Sequence, residues 1–122
     1  MTQKEKELLL KDLCARLPYG VVYTDSQHGD SRITEIDTIS EVVYFYDVDE
    51  YIEIKNCKPY LRTISSMTEE EKQVLELCNA FVEPRSIELK VDFYNQCHLD
   101  YPGLIDKGLA IEAPKGMYNI KE

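Results

Sequence analysis

The stretch Lys58-Pro59-Tyr60-Leu61-Arg62-Thr63-Ile64-Ser65-Ser66-Met67-Thr68-Glu69-Glu70-Glu71 is the joint on which the chain turns. Before it the residues read as short β-strands. Pro59 fixes φ and removes an amide from any ladder, so the preceding strand is expected to end near Cys57-Lys58, with the chain leaving the sheet at Pro59-Tyr60-Leu61. After the joint, Thr68 followed three residues later by Glu71 forms a capping box with acids in the first helical turn, where the helix dipole favours them. Val74, Leu75, Cys78, Phe81 and Val82 fall at helical spacing and predict the buried stripe of that helix, with Pro84 ending it.

The N-terminal part carries the same signal once more. Thr2 with Glu5 predicts a helix start, and Leu9, Leu10, Leu13, Cys14 and Leu17 define its buried stripe. Asp12 and Arg16 are assigned to the polar face, and Pro18 ends the helix. Four β-rich runs follow without helical crossovers: Val21 to Thr24, Arg32 to Ile39, Glu41 to Val48, and Tyr51 to Lys55. Strands joined that closely must pair antiparallel, as a meander. Ser86 to Phe93 alternates apolar with polar and reads as a fifth strand leading into a short helix, though Leu89, Phe93 and Cys97 also suit one helix face. Gly108 to Glu112 reads as a short closing strand.

The fold expected is therefore α+β. A small antiparallel sheet of four to five strands, which either curls on itself, an SH3-like half-barrel being one such closure, or lies against the first helix, carries an N-terminal helix, a second helix after the joint and a short C-terminal helix or strand. At 122 residues, 43% hydrophobic and 30% charged, the chain fits one globular domain over 1–122 with one core.

Charge and cysteine spacing narrow the function classes. A net charge of −9 with no basic run argues against direct nucleic-acid binding, which depends on clustered Lys and Arg. Cys14, Cys57, Cys78 and Cys97 lie far apart, with no pair at the spacing of zinc or redox motifs, and read as reduced thiols. No signal-peptide core and no apolar run of membrane length is present, so no membrane contact and a cytoplasmic location are expected. Five glycines form no phosphate-binding loop, and no metal-ligand motif occurs, so neither a cofactor nor a metal is expected.

Three sets of residues are candidates for function. Lys58, Tyr60 and Arg62 share one face of an extended segment and combine the residue types that dominate interface hot spots; the competing reading is that this corner packs into the core. Cys97, His98 and Asp100 are the one local cluster of nucleophile, base and acid, although sequence neighbours point in different directions. The carboxylates of Asp47, Asp49, Glu50 and Glu53, joined to Glu69, Glu70 and Glu71, would be needed for an acidic mimic of nucleic acid. His28 falls in a predicted loop and reads as solvated.

The segments Leu17-Pro18-Tyr19-Gly20-Val21, Lys58 to Arg62, Ser65 to Glu71, and Asp100 to Tyr118 together resemble a family of small uncharacterised proteins from gut Bacteroidales genomes, associated with prophage-like and other mobile regions. The chain departs from that pattern at Thr63, where Pro is frequent, and at Cys97-His98-Leu99, where His-His is frequent. The resemblance implies a bacterial, accessory, intracellular role and brings no catalytic residue with it. The function expected is a non-enzymatic binding or adaptor module with a protein partner, with Lys58, Tyr60 and Arg62 as the contact; a homodimer would require a free sheet edge, which the sequence does not decide. An acidic inhibitor and a small hydrolase using Cys97 or His98 are the alternatives.

Overall fold

The structure is a computed structural model that describes residues 1–46 and 48–118. Helix α1 (Gln3–Arg16) is followed by strands β1 (Val22–Asp25), β2 (Gly29–Asp37), β3 (Val42–Phe45), β4 (Tyr51–Glu53) and β5 (Cys57–Leu61). Helices α2 (Glu69–Asn79) and α3 (Arg85–Gln96) then form a hairpin, and β6 (Ile111–Glu112) closes the chain onto the sheet. Among the described residues the sheet has six strands in the order β4-β3-β2-β1-β5-β6, antiparallel throughout except for the parallel pair β5–β6. The fold is α+β, with a sheet slightly larger than four or five strands.

The meander forms as its short connections require. Asp25 accepts the Gln27 amide and Gly29 takes φ +72°, which turns β1 into β2. The long β2 turns at residues 38–41 into β3, and the two pair antiparallel with a register shift between Ile33 and Glu35. A 3₁₀ turn at Ile54–Asn56 brings the chain back so that β5 pairs with β1. The fifth strand thus returns to the first, with the long second strand shared between the two halves of the meander.

Pro59 corrects the expectation that the strand stops there. It sits within β5, opposite Tyr23, with its side chain fully buried. The Leu61 carbonyl accepts the Ala113 amide at 2.7 Å on the β6 side. Alternation along the strand turns Pro59 to that same side. Strand β6 begins pairing only at Tyr60, so the missing N–H at Pro59 meets no expectant acceptor.

Packing departs from the single expected core. Leu9 and Leu13 of α1 join Tyr23, Phe45, Ile54, Leu61 and Leu104 in the main cluster, while Cys78, Phe93 and Leu99 form a smaller one with Met67, Leu75 and Leu89 under the α2–α3 hairpin. A parallel bridge between Arg62 and Leu99 links the two regions.

The α1 stripe is also rotated from the expected one. Leu9 and Leu13 are buried, but Cys14 and Leu17 are exposed, and Asp12 and Arg16 are buried instead. Arg16 Nε donates to both Asp12 oxygens at 2.9 and 3.0 Å, Nη2 donates to the Leu99 carbonyl at 2.7 Å, and the guanidinium lies 5.4 Å from the Tyr101 ring centroid. These contacts offset much of what an arginine loses on leaving water, while its Nη1 is buried without a hydrogen-bond partner.

Residues 85–96 are helix α3, which corrects the reading of Ser86 to Phe93 as a strand. Its buried residues are Ser86, Phe93 and Asn95; Ser86 and Phe93 are seven apart, two helical turns, and the polar alternation between them has no structural meaning. Among the described residues, no helix is long and apolar enough to cross a membrane, and all four cysteines are free.

Candidate functional site

Both capping boxes form. Thr68 Oγ1 accepts the Glu71 amide at 3.2 Å and Glu71 Oε1 accepts the Thr68 amide at 2.9 Å. The same Glu71 carboxylate holds Arg62, whose Nη1 and Nη2 each donate to one of its oxygens at 2.7 Å. Arg62 also donates to the Cys97 carbonyl at 3.1 Å and to the Ser66 carbonyl at 3.0 Å. One guanidinium thus ties the end of β5, the start of α2 and the end of α3 together. The Arg62 hydrogen bond, ahead of the Thr68 amide, holds the Glu71 carboxyl down at about 2.

This geometry places the residues of the expected contact surface apart in role. Lys58 is exposed on β5. Tyr60 is half-buried; its hydroxyl donates to Asp30 at 3.1 Å and its carbonyl accepts the Tyr118 hydroxyl at 2.6 Å. Arg62 is 5% exposed, so the three do not present one open face. The alternation that put them on one side of the strand is real, but the α2–α3 hairpin covers that side at Arg62.

Cys97, His98 and Asp100 are likewise brought close without being joined. Among the described residues, no hydrogen bond links any two of them. Burial, with the Glu71 carboxylate beside it, pushes the Cys97 thiol up to about 11, which starves it of thiolate at neutral pH. His98 takes φ +61° and stacks on Tyr118 with ring centroids 4.1 Å apart. Its burial, reinforced by Arg16 and Arg62, brings it down to about 4, so it is neutral at physiological pH. Asp100 is spent as a cap: its carboxylate accepts the Leu104 amide at 2.8 Å and the Ile105 amide at 2.9 Å. A cleft of about 270 Å³ lies beside Cys97 and His98, yet no activated nucleophile faces it. No three His, Cys, Asp or Glu side chains among the described residues are placed to hold a metal ion.

The acidic surface is also divided. Asp47 lies outside the described residues. Glu53 is on β4, at one edge of the sheet, whereas Glu69 to Glu71 open α2, which follows β5 near the other edge. Glu53 pairs with Lys55, Glu50 with His28, Glu69 with Lys72 and Glu71 with Arg62. His28, expected to be solvated, is instead bonded between Asp25 and Glu50, and the Asp25 hydrogen bond raises its pKa.

What the sequence reading missed is on the hairpin. Of the stripe expected to be buried on α2, only Cys78 is buried and Leu75 is half-buried. Val74 is 43% exposed, Leu77 67%, Phe81 55% and Val82 84%, and Ile87 at the start of α3 is 50% exposed. The apolar arc of α2 is wider than the face α3 covers. Leu77, lying outside the expected stripe, was the sign of that extra width.

The class these features define is a small α+β protein with a tied polar joint and an unpartnered apolar hairpin face. Compared with protein-family models, with curated proteins and with solved structures, the chain has no match.

Proposed function

We propose that the chain is a non-enzymatic protein-binding module, an adaptor serving a bacterial mobile element, and that its contact surface is the outer face of the α2–α3 hairpin. The observation that carries this reading is the exposure of Val74, Leu77, Phe81, Val82 and Ile87 along one helix, one turn and the next helix start. Single exposed apolar residues need no explanation, but five of them on one hairpin support an interaction site there. Covering them would contribute about 1 kcal/mol each, on the order of 5 kcal/mol before association costs. The mobile-element setting rests on the family resemblance of the four sequence segments. An enzymatic role has less support, because the Cys97 thiol is raised and Asp100 is occupied.

The test is affinity capture from a bacterial lysate with the wild-type chain and a Leu77→Gln/Phe81→Gln variant, whose fold is checked by circular dichroism. The expected result is a partner that wild type retains and the folded variant loses. Capture of the same proteins by both would overturn the reading.

A further inference from the structure

We infer that the occupant of this face is a cationic amphipathic helix of a protein partner, an apolar ridge flanked by Lys or Arg. The inference rests on the reading that the α2–α3 face is the contact surface. Val74 and Leu77 lie one turn apart on α2, and Phe81 continues the apolar exposure two residues past the end of that helix. An apolar face of that kind packs against two turns of another helix with anchors at the matching positions.

Charge selects the sign of the flanks. Between Glu69 and Asp92 the sequence has seven carboxylates against three cations. Two of those cations are already paired, Lys72 with Glu69 at 3.3 Å and Arg85 with Glu88 at 3.8 Å. Glu70, one turn before Val74, and Glu83, next to Val82, are exposed and form no salt bridge among the described residues. An apolar face bordered by unneutralised carboxylates favours a cationic rim on its partner, which also accelerates encounter. A second copy of the chain would set Glu70 and Glu83 against an equally acidic surface, so the complementary partner is not this chain itself.

The experiment uses two synthetic helical peptides of about 18 residues, long enough to hold helix, with identical leucine ridges and flanks of Lys in one and Glu in the other. Their binding to the full chain is followed by fluorescence anisotropy. The Lys peptide is expected to bind about tenfold or more tightly than the Glu peptide, and to lose about tenfold on Leu77→Gln/Phe81→Gln. It should also lose severalfold on Glu70→Gln/Glu83→Gln. Equal binding of the two peptides overturns the inference. So does Lys-peptide binding that ignores the Leu77/Phe81 change, which is mere charge attraction. A dimer of the wild-type chain in sedimentation that the Leu77/Phe81 variant abolishes would make a second copy the occupant and overturn it as well. If lysate capture depends on Leu77 and Phe81 but the peptides are not discriminated, the contact surface stands and only the partner's chemistry fails. If capture does not depend on them, both fail.

Discussion

Replacing Arg62 with methionine keeps most of the side chain's apolar stem and removes its charge. The pair it breaks is largely withdrawn from water, with 6% exposure at the Arg62 side chain and 15% at Glu71. The change strands the Glu71 carboxylate and leaves the Ser66 and Cys97 carbonyls without their guanidinium donor. Removing one member of a buried pair costs about 3–5 kcal/mol, against a total of about 5–15 kcal/mol for a domain of ordinary stability. With a urea slope of about 2 kcal/mol per molar, the unfolding midpoint should fall by roughly 2 M. A double-mutant cycle with Glu71→Gln, which retains an acceptor for the Thr68 cap, should show coupling of about 1 kcal/mol or more. A loss below about 1 kcal/mol, the range of an exposed pair, would refute the assignment of Arg62 as the tie between β5 and the hairpin.

Three further outcomes follow from the titrating groups. Glu71 is held at about 2 against an ordinary 4.5, so the stability it contributes is complete above about 4.5 and is lost as pH falls toward 2; acid unfolding of Glu71→Gln should lack that component. His98 should titrate near 4 by NMR and His28 above its ordinary 6.5, with two midpoints near 6.5 contradicting both environments. Because His98 resists protonation in the fold, its contribution is complete above about 6.5 and declines as pH falls toward 4. In the folded protein, alkylation should be fastest at exposed Cys14 and slowest at Cys57, buried and raised to about 12; faster reaction at Cys97 than at Cys14 would restore the thiol as a candidate nucleophile.

The features legible in the sequence are those fixed by local chemistry. Thr2 with Glu5 and Thr68 with Glu71 mark both helix starts, because a capping box needs only residues three apart. The antiparallel meander follows from short connections alone. Arg16 was not legible as a buried residue because its acceptor, the Leu99 carbonyl, is 83 residues away. Arg62 read as a surface cation for the same reason: its Cys97 contact spans 35 residues. Pro59 read as a strand end because the late start of β6, which excuses its missing amide, is set by a distant segment. The hairpin face escaped notice because periodicity reports which side of a helix is apolar and not how much of that side another element covers.

The most direct test of the contact surface is hydrogen exchange of the chain with and without its captured and purified partner. The account predicts new protection over residues 74–87, absent with Leu77→Gln/Phe81→Gln. Protection confined to Lys58 through Arg62, or to Cys97 through Asp100, with residues 74–87 unchanged, would contradict it.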